Sequence, residues 1–451
     1  MPPNDSANLV AVADEEPRDA LAALPLSLPL PLSQRVWGLL PCEMRLRCRE
    51  VCPAWRDALA EPRLWTELDF TAAGGVTPAL LLAAAARASG QLERLSLTYT
   101  CELQAALQTV VTANAFSLRL LRVLRGDAGY YCMDHAFSNL MRITPQQCVV
   151  EADTVATHAG ALPILRNEPP YQAVRLQRLD VHADDATATD VAGFAAELAA
   201  HPSLREVTLS YAKLNTLAAF DAVVDAALAL RLSKLTLHSC DMVTPASAVA
   251  LQRLLRDGDV LREFSVLTTP ADTSWYPFDA PVAAQVANAV RSSHVLTSFT
   301  VHHNCLTDDR VAVALLDALI GHTSLTSISL WALGEPLCAN GYASAATAGR
   351  LLGALVAADS PLRVLKISNN FLSDAGLGPL VSALPRNKHL RELNCFGNEM
   401  SDAFAHHRLM PALAANTSLQ ALYVDSYEAY AFIAARTAAA AHPWGCSDDA
   451  L

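Results

Sequence analysis

Two pairs of adjacent histidines are the first residues whose type could support chemistry. They are His302-His303 and His406-His407, and imidazole is a common metal ligand. Adjacent side chains on a strand point to opposite faces, so neither pair is arranged to hold one ion. The sequence instead predicts exposed polar residues at both pairs, and we expect no metal and no cofactor.

The cysteines are the second candidates. The eleven are odd in number and scattered, and no CxxC motif occurs. The closest three, Cys42, Cys48 and Cys52, lack zinc-site spacing, and a Cys52 thiol would react only beside a base. With no Walker or GxGxxG motif, the sequence predicts a non-catalytic protein. Scattered cysteines indicate a reduced state, hence an intracellular, cytoplasmic or nuclear, location.

The net charge and the N-terminal composition of the chain indicate which classes of partner are excluded. The 451 residues carry a net charge of −12, spread along the chain, which argues against nucleic acid as the main partner. Residues 1–20 are acidic and polar and therefore are not a signal peptide, and residues 1–26 are predicted to be a disordered tail. The apolar stretch LAALPLSLPLPLS is broken by prolines and falls short of the roughly 20 residues that span a bilayer. We therefore expect no membrane partner.

The elements that would position any site are repeats of about 28 residues. The frame L-x-x-L-x-L, with other apolar residues allowed at its later positions, recurs in steps of 28, 28, 29, 35, 29, 37, 28 and 29 residues. The frames begin at Leu176, Leu204, Leu232, Leu261, Leu296, Leu325, Leu362, Leu390 and Leu419. Weaker copies at Leu92 and Leu121, and a strand predicted at Cys148, start the array near residue 71 and give about eleven or twelve units.

Each unit combines a strand with a helix. Apolar residues at the fourth and sixth frame positions point to one face of a strand. The Ala-rich stretches between frames have helical spacing. One unit cannot bury its apolar face alone, so neighbouring units stack into a continuous core. The predicted fold class of residues 71–451 is α/β: a right-handed, horseshoe-shaped solenoid with parallel strands inside and helices outside.

This frame resembles the leucine-rich repeat, of the longer type seen in ribonuclease-inhibitor-like proteins. In that family an asparagine or cysteine after the frame bonds the turning backbone. Cys240, Asn304, Asn370 and Asn398 occupy this position. Ala212 stands there in another copy, so its turn must be held in another way.

Three short helices are predicted before the array. Leu32, Val36 and Leu40 are four residues apart and form one helix face. A second helix fits EMRLRCREV, and a third fits PAWRDALA, with Pro53 in its first turn. So small a bundle has little core of its own and needs a partner or a neighbouring domain.

Residues 27–70 resemble an F-box. The match rests on Leu28 and Pro29; on Val36 and Trp37; on Val51, Cys52 and Trp55; and on Pro62, Leu64 and Trp65. The chain departs from the family at LPLSQ, where an acidic residue is usual, and this puts the contact of the first helix in doubt. The resemblance implies that Trp55 packs within the bundle and that Trp65 joins the bundle to the first repeat.

The resemblance also implies a function. F-box proteins dock onto the Skp-type adaptor of a cullin-RING (SCF-type) ubiquitin ligase, and the solenoid would then capture a target protein for ubiquitination. The implied adaptor-binding residues are Leu28, Pro29, Leu32, Val36, Trp37, Leu40, Val51, Cys52, Trp55, Leu64 and Trp65. The alternative is a non-ligase leucine-rich-repeat scaffold, or a ribonuclease-inhibitor-like or immune-type sensor, whose first helices only cap the array.

A target site is predicted on the concave side of the strands, at the seventh frame position. Two long steps insert TTPADTSWYPFDAP and GEPLCANGYASA, which leave the same edge two strands apart. Aromatic residues near such a face are typical anchors for a protein partner. The predicted target-binding residues are His238, Trp275, Tyr276, His302, Trp331, Phe396 and Tyr423.

Overall fold

The computed structural model describes residues 37, 40, 42–51, 53–71, 76–125, 139–172, 174–242, 246–267, 280–302, 309–331 and 342–441. Several sequence predictions lie outside these residues. They concern the tail 1–26 and residues Leu28, Pro29, Leu32, Val36, Cys52, Trp275, Tyr276 and Asn304. The chain divides into two compact units, Met1–Ala156 with Arg166–Gln177, and Thr157–Leu165 with Arg178–Leu451.

The first unit begins with the short helices and continues into a parallel sheet. Its helices are Cys42–Val51, Pro53–Ala58, Pro78–Arg87 and Gln104–Ala113, with 3-10 turns at Pro62–Trp65 and Cys101–Leu103 and helical residues at 139–143. Its strands are β1 (Glu67–Phe70), β2 (Arg94–Tyr99), β3 (Leu120–Arg125) and β4 (Val149–Thr157). Each strand pairs in parallel with the next. Strand β1, inside the predicted F-box range, is thus already part of the sheet.

The second unit repeats one strand-helix pattern. Its main strands are the part of β5 (Val174–His182) from Arg178 onwards, β6 (Glu206–Ser210), β8 (Lys234–His238), β10 (Glu263–Leu267), β11 (Ser298–His302), β12 (Ser327–Trp331), β13 (Val364–Lys366), β14 (Glu392–Asn394) and β15 (Ala421–Tyr423). They pair in parallel in that order, and a second small sheet joins β7 (Lys213–Leu214) to β9 (Asp241–Met242).

Helices connect these strands. They are His158–Leu165, Ala188–Ala199, Leu217–Leu230, Ala246–Asp257, Ala280–Ser292, Asp309–Leu319, Tyr342–Ala357, Ser373–Ala383 and Tyr427–Ala441. A 3-10 turn, Leu384–Arg386, and a helical run, Asp402–Phe404, Ala405–Leu409 and Met410–Ala415, complete the set.

Local capping chemistry sets where several helices begin. Thr187 accepts a hydrogen bond from the amide of Asp190, whose carboxylate bonds back to Thr187 in a capping box. Thr77 and Thr216 cap the helices Pro78–Arg87 and Leu217–Leu230 in the same way, through the third backbone amide of each. These three threonines therefore favour the helix starts that the structure shows.

The core lies between strands and helices, as the frame predicts. Along β10, β11 and β12 the fourth and sixth frame positions are buried and their neighbours are half-buried. Phe264 and Phe299, at equivalent positions of adjacent strands, stack with ring centroids 6.4 Å apart. The fold is an α/β leucine-rich-repeat solenoid, which confirms the predicted class.

One frame was placed wrongly. The sequence predicts a repeat that begins at Leu121. In the structure Leu121 and Val123 pair with Leu95 and Leu97 of β2, which hold the fourth and sixth frame positions, so Leu121 and Val123 hold these positions too. The repeat therefore starts at Leu118, which is fully buried. The frame LRVLRG places Leu124 at the fourth, inward position. In the structure Leu124 is half-buried and lies on the opposite side of the strand from the buried Leu121 and Val123, so the match is shifted.

The asparagine position acts on the backbone as the resemblance implied. The Asn398 Nδ2 donates to the carbonyls of Ile367 (2.8 Å) and Cys395 (2.9 Å). Asn370 makes the equivalent bonds one repeat earlier, to Leu330 and Ser368. At Ala212, where no such side chain exists, the small β7–β9 sheet holds the turn instead.

A second set of polar residues, three positions before several frames, was missed. Asn387 and Asn416 each accept amide hydrogen bonds at the end of a helix, and each also donates to a carbonyl of the preceding repeat. His322 does the same with its two ring nitrogens. Each of these side chains joins the end of one helix to the repeat before it. The sequence feature that could have predicted them is a His or Asn three residues before Leu325, Leu390 and Leu419.

Candidate functional site

The first candidate site is the N-terminal helical module, and its interior is built around Trp65. This side chain is fully buried, and its Nε1 donates to the carbonyl of Leu59 at 2.9 Å. The guanidinium of Arg45 lies over the indole, 5.5 Å from its centroid, and donates to the carbonyls of Leu64 and Leu40. The 3-10 turn that carries Trp65 packs against the helix Pro78–Arg87. Trp65 thus contributes to the core where the module meets the first repeat.

A second aromatic contact lies within the same module. The rings of Trp37 and Trp55 meet edge to face, with centroids 5.0 Å apart, a favoured geometry for aromatic pairs. Trp37 is buried and Trp55 is half-buried. The two tryptophans therefore hold helical segments together, and they supply packing rather than chemistry.

The implied adaptor-binding residues divide by exposure. Trp37, Leu64 and Trp65 are buried, while Leu40 and Trp55 are half-buried. Val51, in contrast, is 61% exposed. Met44 is 48% exposed, although it is not among the predicted adaptor-binding residues. It lies seven residues before Val51, which is about two helical turns. These two apolar side chains share one solvent-facing side of the helix Cys42–Val51, which we call the apolar face.

The second candidate site is a cavity of about 610 Å³ in the second unit. It opens on the side of the strands that carries the fifth and seventh frame positions, which we call the open face. Four predicted target-binding residues line it: His302, Trp331, Phe396 and Tyr423. Its volume lies within the range of about 300–1,000 Å³ that is usual for ligand pockets.

Strand register explains why these residues meet. His302 pairs with Trp331 across β11 and β12, and Asn394 pairs with Tyr423 across β14 and β15. Lys366, on the strand between these pairs, also lines the cavity. Tyr430 reaches it from the helix Tyr427–Ala441. Lys366 was not predicted because it occupies the fifth frame position, whereas the predicted site rests mainly on the seventh. Tyr430 was not predicted because the frame describes strands and gives no position for residues of the helix that follows.

His302 is not the exposed polar residue that the sequence predicted. Its ring meets the Trp331 indole edge to face, with centroids 5.0 Å apart, and its Nε2 lies 3.4 Å from the Ser329 hydroxyl. Burial, and then the nearby His238, lower the pKa of His302 to about 4. The imidazole is therefore neutral near pH 7, and this end of the cavity carries no charge.

His238 lies elsewhere on the open face. Its ring contacts the Tyr211 ring, which in turn contacts the His182 ring, both in tilted arrangements with centroid distances of 5.6 Å and 5.8 Å. Burial, and then His182, lower the pKa of His238. No group of three or more metal-ligating side chains occurs among the described residues.

Comparisons with known proteins yield similarity to solved structures and no family. No family model and no curated protein matches the chain. A chain of the crystal structure of the yeast Rad7 and Elc1 complex is similar, with 14% sequence identity and a TM-score of 0.37. The match covers 76% of this chain and 75% of that chain. Within the described ranges, no helix is both long enough and apolar enough to cross a bilayer.

Proposed function

We propose that the chain is a substrate-recognition subunit of a cullin-RING ubiquitin ligase of the SCF type. The N-terminal module docks onto a Skp-type adaptor and through it onto a cullin, and the repeats bind a protein target. The chain itself is not an enzyme in this proposal, and it works in the cytoplasm or nucleus. The proposal extends the F-box resemblance of residues 27–70.

The apolar face carries the docking half of this proposal. A module that only caps a solenoid buries its apolar residues against the repeats and leaves polar ones in water. Here Met44 and Val51 remain exposed on one side of a helix whose other residues are mostly arginine, glutamate and cysteine. Such an apolar pair is suited to bury surface against a partner. We propose that the adaptor docks there, and the proposal keeps Leu28, Pro29, Leu32 and Val36, which the F-box resemblance implies, as further adaptor-binding residues.

The cavity of the open face supports the capture half. Exposed aromatic side chains are enriched among the residues that dominate binding energy at protein interfaces. Phe396 and Tyr423 are 54% and 46% exposed and share this cavity. His302 and Trp331 form its opposite wall, and Trp275 and Tyr276, from the predicted loop, extend the site in our proposal.

Copurification with a Skp-type adaptor tests the docking half. The full chain is co-expressed with the adaptor and purified through a tag on the chain, and the proposal expects a one-to-one complex. A well-folded chain that emerges alone would favour the alternative, an interaction scaffold or immune-type sensor. Alanine at both Leu28 and Pro29 should release the adaptor and leave the repeats folded.

A further inference from the structure

We propose that the cavity of the open face binds the carboxyl terminus of a protein chain that ends in a flat or aliphatic apolar residue. This inference deepens the capture half of the proposed function, on which it rests. It names the part of the target that is recognised, an apolar side chain and a free carboxylate on the same residue.

A notch between two aromatic rings provides the apolar half of the site. Trp331 is the last residue of β12, and Ser368 and Phe396 hold the same frame position, two residues after the ends of β13 and β14. Neighbouring strands lie about 4.8 Å apart, so β12 and β14, which lead to the two rings, are about 10 Å apart. The small Ser368 holds the frame position between the two rings and lines the same cavity. Van der Waals contact takes about 3.5–4 Å on each side, so the notch admits one flat or slender apolar group.

The second half of the site is cationic. Lys366 is the one charged side chain among the described residues that line the cavity. It is the last residue of β13 and lies two residues before Ser368, so their Cα atoms are at most about 7 Å apart. Its ammonium contacts Glu392 at 3.1 Å, which occupies one of its three donors. The side chain is 44% exposed, so the other two donors can reach a ligand.

A neutral donor lies beside the ammonium. Asn394 pairs with Lys366 across β13 and β14. Its Oδ1 accepts from the Phe396 amide at 3.2 Å, which leaves the Nδ2 group to donate. An ammonium and an amide side by side are suited to bind a carboxylate, with the charge-assisted bond as the stronger of the two.

The spacing of the two halves selects a chain end. In a C-terminal residue the side chain and the carboxylate leave the same Cα, so one can enter the notch while the other faces Lys366. An internal residue would present a neutral peptide carbonyl there, and the positive charge of Lys366 would have no counter-charge in the ligand. The neutral His302 next to Trp331 adds no competing charge.

Fluorescence anisotropy with the full chain tests the assignment. The probe is a short Ser/Gly peptide labelled at its N-terminus and ending in phenylalanine with a free carboxylate. The same peptide with a C-terminal amide is the matched control. We expect the free acid to bind and the amide to bind at least about tenfold more weakly, because a charge-assisted hydrogen bond is lost. Equal binding of the two peptides, or no binding of the acid at about 1 mM, would overturn the inference.

Variants separate the two halves of the site. Phe396→Ala and Lys366→Met should each weaken the acid peptide about tenfold or more, whereas Tyr427→Ala, an exposed aromatic outside the cavity, should not. Glu392→Gln removes the competitor for the ammonium and should preserve or tighten binding. If Lys366→Met had no effect, the carboxylate would not lie at Lys366 and the assignment would fail.

Two further measurements distinguish a protein chain end from a free small acid as the ligand, and separate this inference from the proposed function. Free 3-phenylpropionate that competed as strongly as the peptide would replace the chain end by a small acid and overturn the inference. The assay needs no adaptor, so loss of peptide binding with an intact adaptor complex rejects this inference alone. Peptide binding without an adaptor complex rejects the ligase proposal alone.

Discussion

The side-chain oxygen of Asn398 accepts a hydrogen bond from the backbone amide of Asn370, 3.1 Å away in the preceding repeat. The same oxygen accepts from the amide of Leu372 at 3.3 Å, while its Nδ2 donates to two carbonyls. One fully buried side chain therefore satisfies four backbone groups of two repeats. Leaving a buried polar group unpaired costs about 1–3 kcal/mol, so these asparagines hold adjacent turns in register.

Asn398→Ala should destabilise the second unit by at least about 3 kcal/mol, because several buried backbone groups lose their partner together. Urea unfolding of the full chain, followed by circular dichroism, measures the change. Asn288→Ala is the matched control: this asparagine is exposed on a helix, and a surface substitution should stay within about 0.5 kcal/mol. Equal effects of the two variants would rule out the role given to Asn398.

Trp65→Ala should unfold the N-terminal module. Truncation of a buried tryptophan costs about 3–5 kcal/mol, comparable to the whole stability of so small a bundle. Limited proteolysis should show new cuts confined to residues 42–71, with the later repeats still resistant. Phe116→Ala, at a side chain that is 96% exposed in the same unit, should digest like the wild type. Wild-type resistance of Trp65→Ala would show that the module does not depend on this ring.

How far the sequence predicts this fold depends on the regularity of the repeat. The frames from Leu176 to Leu419 were all placed correctly because apolar alternation and a step near 28 residues coincide. The copy near Leu121 was shifted by three residues because apolar residues occupy both faces of β3. The strand read at Cys148 is present as β4.

The candidate site was less accessible to sequence reasoning. The seventh frame position predicted His302, Trp331 and Phe396, because residues at the same frame position of successive repeats lie side by side, as His302 and Trp331 do in the sheet. The cavity brings together residues of several repeats, with Ser368 at the frame position between Trp331 and Phe396. Tyr430 depends on where a helix lies after the last strand. Both are properties of packing that periodicity does not report.

The stability of the second unit should fall in mild acid because of His302. Its folded-state pKa of about 4 lies below its ordinary value of 6.5, so the unfolded chain binds the proton more tightly. The stability contributed by the neutral ring is complete above pH 6.5 and is lost as pH falls towards 4, by up to about 3 kcal/mol. Burial is the main cause, and His238 is the nearby titrating group.

Urea unfolding at pH 7.5 and at pH 4.5 measures this dependence. In His302→Gln the difference between the two pH values should shrink, whereas in His407→Gln, at an exposed histidine, it should match the wild type. An unchanged difference in His302→Gln would assign the acid sensitivity to other groups.

The cysteines should differ sharply in reactivity. Burial, and then Asp425, raise the pKa of Cys395 to about 12, and burial raises the pKa of Cys148 to about 11. The thiolate is the reactive form, so neither should react near pH 7.5 until the chain unfolds. Cys101 is exposed and should be alkylated by iodoacetamide in the native state. Mass spectrometry of the digested protein resolves the sites, and early labelling of Cys395 would contradict its burial.

Adaptor affinity of one substitution on the apolar face tests the central claim most directly. Val51→Asp places a charge where we dock a Skp-type adaptor, and Val249→Asp is the matched control, since the two valines are 61% and 59% exposed on helices of different units. The account predicts tight binding by the wild type and by Val249→Asp in calorimetry, and a loss of at least about 2 kcal/mol for Val51→Asp with an unchanged circular dichroism spectrum. Wild-type affinity in Val51→Asp would contradict the docking surface, and no measurable adaptor binding by the folded wild-type chain would contradict the proposed ligase subunit itself.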